Sequence, residues 1–361
     1  MSDAVVIKKF SVKPLRAPLN QPFRTALGQH DRMENALFGL ELKDGTKGYG
    51  EAGIATHITG ETVADTFRYL QDIGGALIGR NAGEYLRIAA ELHELLPRNK
   101  ASVAAVMSAL MDVLTRHWKI PLWKFFGNRC QKLVTDITIV LADLPETEAA
   151  VRKFHGQGFR TFKIKIGRDE DLDLQRIVLV NKLAPRATIY LDANQAFTSD
   201  GMLRFLKKIK RFGVRPALLE QPVPREDWDG LKKVSRLAGV PVCADESVRT
   251  FAEAVRAIHE KVAPVINIKL MKTGIFHSRE IALWARNRGV KLMIGGMMES
   301  SLAMTTAAHF AAGLGGFDYV DLDTPFFIRK GFDRNPFLSS DGVYDLRKVS
   351  CGVGIVPKIA A

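Results

Sequence analysis

Six charged side chains stand at the ends of short apolar runs in the middle of this sequence: Lys163 and Lys165, Asp192, Glu220, Asp245 and Lys269. Residues two apart in a strand share a face, so Lys163 and Lys165 point the same way. Three carboxylates brought together disfavour each other's ionised form unless a cation joins them. Oxygen ligands of this kind suit Mg²⁺ or Mn²⁺, with water and substrate completing the shell. The chemistry such a group can support is proton transfer beside a carboxylate. Removing that very weakly acidic hydrogen leaves an enediolate, whose growing charge a chelating metal stabilises. A lysine serving as the base must be neutral near pH 7. Lys163 and the metal are both expected to lower the pKa of Lys165. Lysines on both sides permit removal of a proton from one face and its return on the other. Taken singly, an aspartate ending a strand is more often a helix N-cap, and a lone Lys-x-Lys is usually a solvated edge. Six charges on consecutive strands are hard to obtain from capping.

The elements that must carry these residues form a repeating series. Apolar or β-branched runs occur at 136–140, 161–165, 188–192, 217–220, 240–245, 265–269, 291–294 and 317–321. The first six end at 140, 165, 192, 220, 245 and 269, in steps of 24 to 28 residues. Amphipathic stretches such as 169–183, 199–212 and 250–261 lie between them. This spacing predicts parallel strands joined by right-handed crossovers, and eight near-equal units favour a closed barrel. The polar strand ends then converge on the barrel mouth, where such folds build their sites. No GxGxxG opens a helix, which speaks against dinucleotide binding. The first 50 residues read differently. Val5–Ile7 and Phe10–Val12 are short β-prone runs, a loop with Pro14, Pro18 and Pro22 follows, and 36–42 and 47–51 flank the turn Lys43–Thr46. From Thr62 to about Arg116 the period is helical.

Composition narrows the class. At 361 residues the chain exceeds one small core, and 47% hydrophobic with 25% charged residues is ordinary for a globular protein. A net charge of +13 raises the question of nucleic acid, but the basic residues are scattered. Their densest run, Lys207 to Arg211, lies in a helical stretch and reads as a solvated face. Three cysteines, Cys130, Cys243 and Cys351, lack CxxC spacing and read as buried free thiols. The charged N-terminal stretch has no signal-peptide character, and the apolar run 302–314 is too short for a bilayer. A reducing cytoplasm and no membrane partner are expected.

Taken in order, Lys163-Ile164-Lys165, Asp192-Ala193-Asn194, Glu220-Gln221-Pro222, Ala244-Asp245-Glu246-Ser247 and the stretch from Asn267 to Gly274 resemble the muconate-lactonizing subgroup of the enolase superfamily. The resemblance covers nearly the whole chain. It implies an α/β protein, a (β/α)7β modified TIM barrel at 126–330. An α+β capping domain occupies 1–125, and a C-terminal segment, 331–361, returns to the cap. By the same resemblance Asp192, Glu220 and Asp245 hold Mg²⁺ or Mn²⁺, Lys165 and Lys269 are the acid/base pair, Lys163 modulates them and Asn194 meets substrate. Asp321-Leu322-Asp323-Thr324-Pro325 is similar to the DxD element of dipeptide epimerases, whose aspartates hold the free ammonium of a dipeptide. A turn built on Asp and Pro is the plain alternative. The stretch 294–300 resembles that group's seventh-strand end and adds Met297 to the substrate contacts. Specificity is expected in loops 22–32 and 52–60. Alanine-glutamate epimerases resemble one another in a first-loop arginine, where this sequence has Gly28, so Arg24 is the stand-in candidate. Ile54 and His57 leave hydrophobic or other dipeptides open. The expected activity is dipeptide epimerisation. Within the family the alternatives are an N-acylamino acid racemase or o-succinylbenzoate synthase, then a muconate cycloisomerase. Outside it stand an inactive barrel-shaped binding protein and a nucleic-acid binder. A homo-oligomer is a further expectation from the resemblance.

Overall fold

The computed structural model describes residues 3–127 and 130–357. It opens with an antiparallel sheet of β1 (Ile7–Thr25), β2 (Gly28–Leu42) and β3 (Lys47–Ala52), in that order. The expected proline-rich loop is instead part of one long strand. Pro14 pairs opposite Ala36 and Pro18 opposite Arg32, and the register shifts between Pro18 and Phe23. β1 is an edge strand, where a residue without an N–H leaves no ladder bond unmade, and the irregularity absorbs Pro22. The turn at 43–46 is as read from the sequence, with Gly45 at φ 86° and the Thr46 N–H donating to Asp44 Oδ1. Five helices follow: α1 (Thr56–Thr59), α2 (Val63–Leu77), α3 (Tyr85–Leu95), α4 (Lys100–His117) and α5 (Leu122–Phe126). Every residue from Ala101 to Thr115 is buried, so α4 is covered on all sides. Its closeness to the sheet depends on two glycines. A Cβ at Gly50 would lie 2.0 Å from the Ala105 carbonyl oxygen, and one at Gly48 would lie 2.3 Å from the Val113 nitrogen.

After the two-residue strand β4 (Leu133–Val134), strand and helix alternate: β5 (Ile137–Ile139), α6 (Leu144–Gly156), β6 (Thr161–Lys165), α7 (Glu170–Leu183), β7 (Thr188–Asp192), α8 (Ser199–Arg211), β8 (Leu218–Glu220), α9 (Trp228–Leu237), β9 (Val242–Ala244), α10 (Phe251–His259), β10 (Val265–Lys269), α11 (Leu270–Asn287), β11 (Lys291–Gly295), α12 (Ser301–Leu314) and β12 (Tyr319–Val320). The eight strands β5 to β12 pair in sequence order. The sheet curls until its ends meet, where the Asp136 N–H donates to the Val320 carbonyl at 3.0 Å. Seven helices separate eight strands, which is the (β/α)7β barrel. Strands of two to five residues suffice because the crossovers supply the rest of the core. Thr198, Asp227 and Thr250 cap α8, α9 and α10 with their own side chains. The strand-ending acids Asp192, Glu220 and Asp245 are therefore free of capping duty.

The last described stretch runs back across the molecule. β13 (Val343–Tyr344) pairs with β4, the Val353 N–H donates to Asp112 Oδ1 on α4 at 2.7 Å, and the Tyr344 hydroxyl donates to the Leu322 carbonyl at 2.7 Å. All three thiols are free, but only Cys243 is buried; Cys130 and Cys351 are partly exposed because they lie in loops outside the barrel core. Lys207, Lys208, Lys210 and Arg211 face solvent on α8 while Ile209 is buried, the pattern of an amphipathic helix. Among the described residues no helix is long and apolar enough to cross a membrane.

Candidate active site

The register of three neighbouring strands sets the first part of the site. Lys165 on β6 pairs with Asp192 on β7, which pairs with Glu220 on β8. Asp245 stands one residue past β9, and Lys269 ends β10. Just beyond these ends the backbone is forced into the left-handed region at Asn194 (φ 40°), Gln195 (φ 73°) and Gln221 (φ 33°). Such conformations persist only where surrounding bonds impose them. Here the Gln221 carboxamide oxygen accepts the N–H groups of Asp245 (2.9 Å) and Ser247 (3.1 Å). The strain is thus tied to the placing of an acid.

Asp192, Glu220 and Asp245 are each about 1% exposed. Lysine ammoniums stand between and beside them. Lys163 Nζ lies 3.0 Å from Asp192 Oδ2 and 2.8 Å from Glu220 Oε2, and Lys165 Nζ donates to Asp192 Oδ2 at 2.6 Å. At the other end Lys269 Nζ donates to Asp245 Oδ2 at 2.8 Å, and Lys272 Nζ to Asp245 Oδ1 at 2.7 Å. Lys165 and Lys269 thus flank opposite ends of the row of acids. Burial raises the Asp192 carboxyl, but Lys163 and Lys165 outweigh it and hold it at about 2. Burial and then the charge of Asp192 push Glu220 up to about 7, against the pull of Lys163. Burial and then Asp245 push the adjacent Glu246 up to about 8. Burial lowers Lys163 and Lys269, yet their carboxylate neighbours prevail and leave both above the ordinary lysine value.

A divalent cation fits this group. Glu220 Oε2 is buried without a hydrogen-bond donor, since Lys163 meets it as an ion contact only. Burial and then the charge of Asp192 raise the Glu220 carboxyl, a cost that a cation held among the three acids relieves. The donors are all oxygen, as Mg²⁺ prefers.

A second acid group adjoins the first. Asp136, Asp321 and Asp323 are buried and offer carboxylate oxygens within 4.8 Å of one another. Lys163 Nζ donates to Asp321 Oδ2 at 2.6 Å, and the Thr138 N–H donates to Asp323 Oδ2 at 2.6 Å. Burial and Asp321 lift Asp323 to about 7. The cleft above both groups is lined by Lys163, Lys165, Asn194, Asp245, Lys269, Met297, Asp321 and Asp323, with Phe23, Thr25, His30, Ala55, Ile58 and Met298 over them.

Of the candidates named from sequence, two lie elsewhere. Arg24 is spoken for, its guanidinium meeting Glu146 Oε2 at 3.3 Å and Gln29 Oε1 at 3.2 Å, because its strand position turns it outward to α6. Ile54 is buried outside the cleft lining, its N–H held by Asn35 Oδ1 at 3.0 Å, and the neighbouring Ala55 and Ile58 line the cleft instead. The His57 side chain lies outside the described residues. Asn194 Nδ2 donates to Glu246 Oε1 at 3.1 Å, so it meets the acids' neighbour, and Met297 Sδ lies 4.0 Å from Lys269 Nζ.

Three supporting residues escaped sequence reading. Lys272 grips Asp245 through both side chain and carbonyl and also reaches the Asn267 carbonyl at 3.0 Å. Fully buried Arg176 donates to the Lys165 carbonyl at 2.8 Å and to the Val140 carbonyl at 2.5 Å, tying two strand ends together. Asp136 is the third. Lys272 follows Lys269 at helical spacing, which is a usable signal; Arg176 is an ordinary helix residue in sequence, and Asp136 carries no mark of its partners.

Residues 7–127 match the mandelate racemase/muconate lactonizing enzyme N-terminal domain, and residues 146–361 match the family described as enolase C-terminal domain-like. The chain is 46% identical over 354 residues to a hydrophobic dipeptide epimerase of Citrifermentans bemidjiense, covering 96% of each. Among solved structures it is similar to the substrate-liganded L-Ala-D/L-Glu epimerase of Bacillus subtilis (32% identity, TM-score 0.93, 97% of this chain and 99% of that one). It is also similar to the Enterococcus faecalis dipeptide epimerase complexed with Mg and L-Leu-L-Tyr (30% identity, TM-score 0.90, 96% and 99%).

Proposed function

Because the chain belongs to the mandelate racemase/muconate lactonizing enzyme family of the enolase superfamily, we infer that it is a Mg²⁺-dependent dipeptide epimerase, an isomerase that inverts the α-carbon of a dipeptide's C-terminal residue. The observation that carries the reading is the pairing of two sites in one cleft. A lysine flanks each end of the acid row, and two buried aspartates lie beside it. In this reading residues 1–125 form the cap, 126–330 the catalytic barrel and 331–361 the returning segment.

The residue roles follow from charge and position. Asp321 and Asp323 take the substrate ammonium, since buried carboxylates need a cationic partner. The substrate's carboxylate then lies toward Asp192, Glu220 and Asp245, the residues that would hold Mg²⁺. When bound, the ion stabilises the negative charge that grows on that carboxylate. The α-carbon is left between Lys165 and Lys269. One lysine, as the neutral amine, takes the α-proton, and the electron pair of the broken C–H bond spreads into the carboxylate as an enediolate. The other, as the ammonium, donates a proton to the opposite face and completes the new C–H bond. Lys163, between Asp192, Glu220 and Asp321, keeps the two acid groups in register. Asn194 and Met297 bound the substrate's path. Phe23, Ala55, Ile58, Met297 and Met298 offer an apolar wall, and Arg24 is committed to Glu146, so the preferred substrates are hydrophobic dipeptides.

An N-acylamino acid racemase is the poorer reading, because an acyl group brings no charge to the buried Asp321 and Asp323. The test is incubation with Mg²⁺ and a dipeptide library in deuterated water. Hydrophobic dipeptides should gain one mass unit at the C-terminal residue. Exchange of N-acylamino acids without exchange of any dipeptide would overturn the assignment.

A further inference from the structure

Asp136 is a buried acid that the mechanism above leaves unused. It is about 1% exposed, and neither carboxylate oxygen has a hydrogen-bond partner. A carboxylate in that state is costly, and an unpaired buried polar group calls for an explanation. Barrel closure does not supply one. The junction between the first and eighth strands is made by the Asp136 N–H to the Val320 carbonyl, the Leu322 N–H to Thr135 Oγ1 and the Thr138 N–H to Asp323 Oδ2. None of these uses the Asp136 side chain, so any residue could serve the fold at this position. What the side chain does meet is charge: its oxygen lies within 4.8 Å of oxygens on both Asp321 and Asp323. Among the described residues, the ammonium paired with this group is Lys163, which Asp192 and Glu220 already share.

We propose that Asp136 is a positioning residue of the subsite for the substrate's amino terminus, a third carboxylate set behind Asp321 and Asp323 that strengthens their hold on a primary ammonium. This rests on the assignment of those two aspartates to the ammonium. Asp136 does not line the cleft, so it acts through the pair in front of it. Burial, then Asp321 and Asp323, raise its carboxyl well above the ordinary aspartate value, so the group ionises as an ammonium arrives; its charge then deepens the potential at the cleft wall and favours the arrangement in which that cation sits between the pair. The cost falls on stability of the unliganded protein, as is common where a site is built from like charges.

The test compares Asp136→Asn with the unsubstituted enzyme, both loaded with Mg²⁺, on a free hydrophobic dipeptide and on its N-acetylated form. The latter is assayed as substrate or as competitive inhibitor. Asparagine keeps the shape and removes the charge. The expected result is a KM for the free dipeptide raised about tenfold or more, which is a differential of one factor of ten in affinity. The kcat should stay within about threefold, affinity for the acetylated form should be unchanged, and the melting temperature should be equal or higher, since the substitution removes an ionisable group buried beside two other acids. An unchanged KM for the free dipeptide overturns the proposal. So does equal weakening toward both peptides with a lowered melting temperature, the mark of a purely structural residue. If the unsubstituted enzyme fails to distinguish free from acetylated dipeptide, the ammonium assignment itself falls.

Discussion

Two triads of buried acids share one barrel mouth and are treated oppositely by their surroundings. Asp192, Glu220 and Asp245 are interleaved with Lys163, Lys165, Lys269 and Lys272, so nearly every carboxylate oxygen meets an ammonium or amide. Among the described residues, Asp136, Asp321 and Asp323 have Lys163 and one backbone N–H as donors, and the Asp136 carboxylate accepts no hydrogen bond. The pKa directions of Asp192 and Asp323 follow this difference, while Glu220 is raised by burial and Asp192. Asp192 is held at about 2 by its lysines, whereas burial and Asp321 drive Asp323 to about 7. Acids of equal burial thus differ by their company. The first triad is equipped to hold a metal and move protons; the second shares Lys163 with the first and is suited to receive a further cation from the substrate.

The contrast can be broken most directly at the lysines. Lys165→Ala and Lys269→Ala should each abolish epimerisation, by about 10³-fold or more, the range expected for loss of a general acid or base, while each variant keeps α-deuterium exchange only with the epimer that faces its remaining lysine. Chiral chromatography with mass spectrometry of the dipeptide reads the result. Substantial epimerisation in either variant would remove that lysine from the mechanism. In the second triad, Asp321→Asn should raise KM for a free dipeptide about 10- to 100-fold, the worth of a charged hydrogen bond in a buried setting, with a smaller change in kcat. Steady-state kinetics separates the two.

Lys272 tests whether the first triad needs its cations to be shaped. Lys272→Met keeps bulk and removes the grip on Asp245, so Mg²⁺ affinity measured by calorimetry should fall about 10- to 100-fold, as for other outer partners of metal ligands. An unaffected affinity would make Lys272 a packing residue.

The pH dependence of stability should run in opposite directions for Asp323 and Asp192. A carboxyl raised in the native state holds a proton that the unfolded chain has released, so stability falls as pH rises between the two values. For Asp323 that interval runs from the ordinary 3.8 to about 7. Asp192 is lowered, and its contribution is present above 3.8 and lost as pH falls toward about 2. In EDTA the melting temperature should therefore decline as pH rises toward neutrality, and Asp323→Asn should flatten the decline. A curve the same in both proteins would refute the assignment of the slope to Asp323. The smallest effect is expected at Arg24→Ala, within about twofold in kcat/KM for hydrophobic dipeptides, because an exposed ion pair to Glu146 contributes little.

The sequence alone determined the order of strands and helices in the barrel and the charged residues at the ends of its second to sixth strands, because side-chain period and the strand-helix repeat are local properties of the chain. β6, β7 and β10 were legible to the residue. Where pairing depends on a distant partner, local pattern misled: β1 carries three prolines, yet its edge position opposite β2 accommodates them. The cap loops were least legible, since which of Arg24, Ile54, Ala55 or Ile58 faces the cleft depends on how the cap's strands and loops sit over the barrel mouth. Asp136 and Arg176 were invisible for the same reason, each acquiring its role from residues far along the chain. A charge's type is written in the sequence, but its partners, and hence its protonation and its use, are fixed only when strands from opposite ends of the chain close into one ring.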